Sequence, residues 1–174
     1  MSSPSRLAAV LLLLALAGCG FRPLYGEQSF GSVVPDLQEI KVQPIRDRVG
    51  QKMYNMLLDR LNPHGVPDRP LYTLSVENAV SREELGLEIT EVATRAKLTM
   101  VSRYVLRRAD NQELLFSGSA RSINSFNLID SDYANLVAEE DATERALREN
   151  SEAIRARLGI FFDRARNQSP NPSP

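Results

Sequence analysis

The sequence predicts an α+β fold in which a four-stranded, mostly antiparallel sheet carries two helices on one face, in the order β-α-β-β-β-α. Two observations support this prediction. Apolar and polar side chains alternate along three segments in the middle of the chain, which is typical of strands with one covered face and one face in water. Two further segments repeat apolar residues at helical spacing, and two amphipathic helices can cover one face of such a sheet.

The first eighteen residues have the three parts of an export signal. Arg6 and the α-amino group form a positive start, residues 7–16 are an unbroken apolar run, and small residues follow. The run is shorter than the roughly 20 apolar residues that span a bilayer. Residues 1–18 are therefore predicted to be a signal peptide that takes no part in the fold.

Cys19, the single cysteine of the chain, directly follows Leu16, Ala17 and Gly18. This order resembles a bacterial lipobox, in which the thiol receives a diacylglycerol before the signal peptide is removed. A mature amino terminus carrying that group and an N-acyl chain would be stably anchored, because anchoring takes more than one acyl chain. Gly20, rather than Asp, follows the cysteine and favours the outer membrane. The alternative is an ordinary signal peptide with a free thiol left over.

The mature chain, 174 residues less 18, has 156 residues and fits one domain. It keeps 20 Lys and Arg, 21 less Arg6, against 22 Asp and Glu, so its net charge of −2 gives no sign of nucleic-acid binding. Residues 19–38 contain several glycines and prolines and are predicted to be an irregular tether. Residues 39–166 form the predicted domain, and the polar, proline-rich residues 167–174 a disordered tail.

The elements follow in order along the predicted domain. Residues 39–45 alternate as a short strand, and Pro44 places that strand at an edge or marks its end. Residues 47–61 form a helix that ends at Asn62-Pro63-His64-Gly65. Its apolar stripe is Val49, Met53, Met56, Leu57 and Leu61.

Three alternating segments predict the remaining strands, at residues 71–80, 93–109 and 112–126. Asn111 suits the turn between the last two. Residues 132–166 then predict one long helix, capped by Asp130, Ser131 or Asp132 and able to bend or end at Gly159. Its outer face carries the i,i+4 pairs Asp141/Arg145, Glu144/Arg148 and Arg145/Glu149.

Residues typical of catalysis or metal binding are sparse. His64 is the single histidine and lies in a proline- and glycine-containing loop. The acidic clusters Glu83-Glu84 and Glu139-Glu140-Asp141 are interpreted as charge on helix surfaces, since adjacent helical residues point to different sides. Neither a nucleophile elbow nor a phosphate loop nor a metal-ligand spacing occurs. The protein is predicted not to be an enzyme and to need no cofactor beyond the acyl chains on Cys19.

One strand face is basic: Arg95, Lys97, Arg103 and Arg107 share a side of the second long strand, with Arg121 on the neighbouring one. Rows of cations beside aliphatic side chains suit an anionic amphiphile, because guanidinium groups bind phosphate bidentately while acyl chains lie on apolar surface. The alternative is a solvated face on which the cations pair with Glu77 and Glu113 across strands.

The stretch CGFRPLYG at residues 19–26 resembles the mature start of the LptE family of lipopolysaccharide-assembly lipoproteins, especially its alphaproteobacterial members, in which G-F-x-P-L-Y closely follows the cysteine. The resemblance implies a non-catalytic lipoprotein on the periplasmic side of the outer membrane, attached to its inner leaflet. It implies plugging and assembly of the β-barrel LptD, and binding of lipopolysaccharide in transit, with Arg95, Lys97, Arg103 and Arg107 as candidates. A second hypothesis is an auxiliary lipoprotein subunit of a lipid ABC transporter.

Overall fold

A computed structural model describes residues 34–86 and 93–168 of the protein and confirms the α+β fold. The strands form one sheet in the order β1-β2-β3-β4, in which β1 is parallel to β2 and the other neighbours are antiparallel. The predicted signal peptide and Cys19 lie outside the described residues. The elements are α1 (Val34–Gln38), β1 (Ile40–Val42), α2 (Asp47–Leu61), β2 (Tyr72–Gly86), β3 (Ala93–Arg108), β4 (Leu114–Asn127) and α3 (Asp132–Gln168).

The element boundaries agree with the sequence pattern to within two residues at α2, β3, β4 and α3, and differ by more at β1 and β2. Strand β1 has only three residues, whereas β2 continues six residues beyond its predicted end at Val80. Helix α3 does not end at Gly159, which is buried within it. A glycine inside a helix lowers its intrinsic stability, and here the tertiary contacts of a buried position override that preference.

Helix α1 lies within the segment that the sequence predicts to be an irregular tether, so the folded part begins earlier than residue 39. Leu37 is only 3% exposed and belongs to the core. The Gln38 carbonyl accepts a hydrogen bond of 2.9 Å from Asn62 Nδ2 at the end of α2, and Asp36 pairs with Arg166 of α3. The segment contains Pro35, which is compatible with the first turn of a helix because a backbone N–H has no partner there.

The core lies between the sheet and the two long helices. Even-numbered side chains of β3 from Ala96 to Leu106 face the helices and are fully buried. Opposite them lie Met53 and Leu57 of α2 and Leu147 and Ile154 of α3. Aromatic rings extend this core between β2, β4 and the end of α3, with centroids 5.0 Å apart in the Tyr72–Phe162 and Phe116–Phe161 pairs. The buried β3 residues are Ala96, Leu98, Met100, Ser102, Tyr104 and Leu106.

A chain of hydrogen bonds crosses this otherwise apolar interior. Asn150 Nδ2 of α3 donates to Ser102 Oγ at 2.9 Å, and Ser102 Oγ donates to Asn78 Oδ1 at 2.7 Å. The same Asn150 nitrogen lies 3.3 Å from the Met100 carbonyl. Buried polar groups are stable only when paired, so this chain favours one alignment of α3 across β2 and β3.

The two long helices begin with side-chain caps. Asp47 has a positive φ of 66° and accepts the Gly50 N–H at 2.8 Å, while Ser131 Oγ accepts the Ala134 N–H at 3.4 Å. The predicted cap region of α3 is therefore correct. Of the three predicted i,i+4 pairs, Glu144–Arg148 forms, at 3.2 Å. Arg145 instead donates to Asn124 of β4.

Candidate functional site

The sheet face that points away from the helices carries the basic residues predicted from the sequence. We call it the helix-free face and define it by the odd-numbered residues of β2 between Thr73 and Leu85 and their partners on β3 and β4. Arg95, Lys97, Arg103 and Arg107 all lie on it, along β3. Arg107 lies twelve positions after Arg95 along the extended strand, a distance of about 40 Å, so the four basic residues form a row.

Two of the four candidates have partners. Lys97 Nζ lies 2.5 Å from Glu83 Oε2 on β2, and Arg107 Nη1 donates to the Gln112 carbonyl at 2.9 Å. Neither of the two predicted acids, Glu77 and Glu113, forms an ion pair with one of the four candidates in the described part of the chain. Glu113 pairs with Arg108, at 3.4 Å. Glu77 stands opposite Arg103 in the register but within 4.0 Å of no cation in the described part of the chain.

The interpretation of Glu83-Glu84 as helix surface charge is wrong, because both residues lie on β2. Glu83 is on the helix-free face, and Glu84 is on the opposite face, where its Oε1 lies 2.7 Å from Arg82. The polar residues at the odd positions Ser81 and Glu83 continue the alternation of the preceding strand and would have indicated that it extends beyond Val80. The signal was obscured because the helices leave this end of β2 uncovered, so even-numbered positions are polar there as well.

Arg103 and Arg121 are the central cations of the helix-free face. In the register Arg103 is opposite Ser119 and Val101 is opposite Arg121, so the two arginines are diagonal neighbours on adjacent strands. Such neighbours are about 7–8 Å apart at Cα, within reach of long side chains. Among residues 34–86 and 93–168, neither arginine, nor Arg95, has an ion-pair partner.

Apolar side chains lie among these cations. Val101 and Val105 lie between the arginines of β3 and are half-buried, while Ile123 of β4 is 53% exposed. Serines and threonines fill most remaining positions of the face, including Ser117, Ser119 and Thr99. The arrangement can therefore bind an anionic headgroup through guanidinium and hydroxyl groups while accommodating an alkyl chain beside it.

The remaining predicted features concern His64, metal-binding groups, membrane-spanning helices and Cys19. His64 is exposed in the loop between α2 and β2. Within residues 34–86 and 93–168, no three histidine, cysteine, aspartate or glutamate side chains are grouped to hold a metal ion. The helices in the same part of the chain are too short or too polar to cross a membrane. Cys19, the predicted lipidation site, lies outside this part of the chain.

Solved structures of bacterial proteins have the same fold. A protein of Caulobacter crescentus described as a lipoprotein superimposes with a TM-score of 0.61 and 24% identity, covering 76% of this chain and 96% of that one. Rare lipoprotein B from Shewanella oneidensis gives a TM-score of 0.58 with 11% identity, over 73% of this chain and 96% of its own. At these identities the likeness concerns the fold alone.

Sequence comparison gives the family. An uncharacterized protein of Rickettsia prowazekii is 28% identical over 155 residues, which cover 89% of this chain and 96% of that protein. The family described as LptE, lipopolysaccharide-assembly, matches residues 37–158, from α1 nearly to the end of α3. The chain belongs to the LptE family of non-enzymatic lipoproteins, which act in lipopolysaccharide transport and outer-membrane assembly.

Proposed function

We propose that the protein plugs the lumen of the LptD β-barrel, assists assembly of that barrel and binds lipopolysaccharide on its way to the outer leaflet. The family match over residues 37–158 is the observation that carries this proposal. Acyl chains on Cys19 would hold the protein at the inner leaflet of the outer membrane, on the periplasmic side. The proposal requires no cofactor other than the diacylglycerol and the N-acyl chain on Cys19.

The helix-free face supports the lipid-binding part of the proposal. Lipopolysaccharide carries phosphate groups next to acyl chains. The helix-free face combines exposed aliphatic groups with arginines that have no ion-pair partner among the residues that the structure describes. Arg103 and Arg121 are placed to contact one phosphate from two strands, while Arg95 lies at the far end of the row. Lys97 and Arg107 contribute less, because their nitrogens already have partners.

The exposed surface of α3 supports the barrel part of the proposal. The lumen of outer-membrane barrels is polar, and α3 presents charged side chains on the side away from the sheet. Exposed members of this set are Asp141, Glu144, Arg148, Glu152, Asp163 and Arg164. Charged surface of this kind can face a water-filled, hydrogen-bonding wall, whereas Tyr133, Leu136 and Val137 near the start of α3 expose apolar side chains.

Co-purification tests the proposal. A tagged full-length chain is extracted from membranes in mild detergent, and its partners are separated with and without heating. We expect a heat-modifiable β-barrel together with bound lipopolysaccharide. Recovery of inner-membrane ATPase subunits without a barrel would reject the proposal and favour an auxiliary subunit of a lipid ABC transporter. A Cys19→Ser variant with the same tag shows whether acylation is needed for recovery in the membrane fraction.

A further inference from the structure

Strand β2 is much longer than the strand that covers its outer edge. Its fifteen residues pair with β3 along their whole length, whereas β1 pairs only with Tyr72, Thr73 and Leu74. From Ser75 to Leu85, no strand in the described part of the chain lies along that edge. An edge of this length is a ready template for another strand, and natural proteins normally shorten or cover it.

The direction of the unpaired backbone groups follows from the hydrogen bonds at the start of β2. The Tyr72 N–H donates to the Glu39 carbonyl at 3.2 Å, and the Leu74 carbonyl accepts the Gln43 N–H at 2.8 Å. Even-numbered residues of β2 therefore point their backbone groups away from β3. In an antiparallel pair this direction alternates residue by residue, and the register is regular as far as Leu85. The outward groups beyond Leu74 are those of Val76, Asn78, Val80, Arg82 and Glu84.

One buried side-chain nitrogen of β2 has no hydrogen-bond partner among the described residues. Asn78 Oδ1 accepts the Ser102 hydroxyl hydrogen bond, but Asn78 Nδ2 is buried and has no acceptor among the described residues. An unpaired buried amide destabilises the folded state, because it has lost its hydrogen bonds to water without gaining others. A carbonyl or side-chain oxygen on a strand added along this edge would supply an acceptor.

The helices do not cover the far end of this strand. Val80 is on the face that packs against helices elsewhere, yet it is 44% exposed. Beyond it, Arg82 reaches Glu139 of α3 at 3.2 Å and lies over the ring of Phe126, with 6.0 Å from Cζ to the ring centroid. A strand added here would thus find an apolar contact at Val80 as well as free backbone groups.

The charge of the edge favours a different polypeptide over a second copy of this chain. Residues 75–85 contain Glu77, Glu83 and Glu84 against the single Arg82. Two copies paired along this edge would bring carboxylates together, whereas a segment containing Lys or Arg would meet Glu77, which has no cation partner in the described structure. The opposite edge of the sheet differs, because Arg157 of α3 already donates to the Ser119 carbonyl of β4.

We propose that the edge of β2 from Val76 to Glu84 binds an extended segment of the barrel partner, which adds a strand to the sheet beyond β1. The segment has an apolar side chain facing Val80 and a basic side chain facing Glu77. Main-chain hydrogen bonds supply the affinity in this mode of binding, and the alternating side chains supply the specificity. This inference rests on the proposed function, because it takes the barrel protein as the source of the strand.

Hydrogen exchange, resolved amide by amide, tests the proposal on the full-length protein alone and in its purified complex with the barrel. We expect the amides of Val76, Asn78, Val80, Arg82 and Glu84 to exchange at least about tenfold more slowly in the complex, the change that one added hydrogen bond gives. The odd-numbered amides of β2 already bond to β3 and serve as the internal control. The same exchange rates for the even-numbered amides in both samples would overturn the inference while leaving the proposed function intact.

A proline variant provides the second measurement. Val80→Pro removes an outward N–H that bonds to no described residue. An edge strand tolerates proline at such a position. We expect it to retain the fold by circular dichroism and to lose the protection of the neighbouring even-numbered amides in the complex. Val80→Ala is the matched control and should retain that protection. A folded Val80→Pro variant that keeps full protection would contradict the inference.

Three further outcomes would also overturn the inference that the β2 edge binds a strand of the barrel partner. Protection already present in the isolated protein, and lost when residues 20–33 are deleted, would assign the edge to the protein's own amino-terminal segment. Protection that increases with protein concentration would assign it to a second copy. Failure to recover any complex with a barrel would overturn the inference together with the proposed function.

Discussion

The Tyr104 hydroxyl oxygen lies 2.5 Å from the point where a Cβ atom on Gly118 would stand, and the two residues face each other across β3 and β4. Gly118 is therefore the residue that allows the Tyr104 ring to lie against β4. The ring is 1% exposed and packs beside Phe116, with centroids 6.0 Å apart. A side chain at position 118 would occupy space that the ring already fills.

Gly118→Ala is expected to lower the free energy of unfolding by about 1–3 kcal/mol, the cost of overpacking a core. The Tyr104 side chain cannot simply move its end away, because ring carbon Cζ is also only 2.8 Å from the added carbon. Urea unfolding followed by circular dichroism measures the effect. Ser117→Ala, on the exposed face next door, is the control and should change stability by less than about 0.5 kcal/mol. Equal stabilities for the two variants would contradict the packing argument.

Ser102→Ala is expected to destabilise the protein by about 1–3 kcal/mol, because it leaves Asn78 Oδ1 without its donor and deprives Asn150 Nδ2 of its 2.9 Å contact. A double-mutant cycle with Asn150→Ala measures the coupling. A coupling energy of about 0.5 kcal/mol or more would show that the residues act as one network. Strictly additive effects would show that the observed chain of hydrogen bonds does not stabilise the fold. Ser125→Ala, on the exposed face, is the control.

Tyr72 makes stability dependent on pH in the alkaline range. Burial raises the pKa of Tyr72 above its ordinary value of 10.0, and the nearby Asp36 carboxylate raises it further. The folded state therefore holds the phenol proton more tightly than the unfolded state does. The stability that this tighter proton binding contributes is fully present below pH 10.0. It is lost as the pH rises through the folded-state pKa.

Above pH 10.0 the free energy of unfolding of the wild type should therefore decrease more steeply than that of Tyr72→Phe. Urea unfolding of both proteins between pH 8 and pH 11, a range of about three units around the tyrosine pKa, measures this. The comparison cancels the titration of all other groups that the two proteins share. Parallel stability curves across that range would contradict a raised pKa for Tyr72.

Charge reversal tests the lipid-binding role of the helix-free face. We expect Arg103→Glu with Arg121→Glu to weaken lipopolysaccharide binding at least about tenfold, because each charge-assisted hydrogen bond contributes roughly 1.5–3 kcal/mol. Arg95→Glu with Lys97→Glu should weaken it less, since Lys97 already pairs with Glu83. Binding to immobilised lipopolysaccharide at a fixed salt concentration measures both.

The control for that experiment is Arg145→Glu with Arg148→Glu, which makes the same change in net charge on the exposed side of α3. All three double variants should fold, because exposed charges contribute little to stability. If the control weakens binding as much as the change at Arg103 and Arg121 does, the attraction comes from net charge and the helix-free face is not the site.

Much of this architecture is encoded in local periodicity. Alternation along β3 correctly assigned Leu98 and Leu106 to the buried face and Lys97 and Arg107 to the opposite face. Successive side chains of a strand point to opposite faces, so an even or odd residue number is enough for this assignment. Helical spacing located α2 to the residue for the same reason. The short β1 and the ring packing against Gly118 depend on distant neighbours and leave no such local signal.

What the sequence determined alone was the order of the elements from β1 to α3, the buried side of the long strands and helices, and the row from Arg95 to Arg107. Only the tertiary structure decided which residues of different strands and helices lie next to each other. It brought Glu83 to Lys97, Asn150 to Ser102 and Arg121 to Arg103, and left the edge of β2 beyond Leu74 without a strand in the described residues. The physical reason is that periodicity reports whether a side chain faces a neighbour, whereas the identity of that neighbour depends on contacts between residues far apart in the chain.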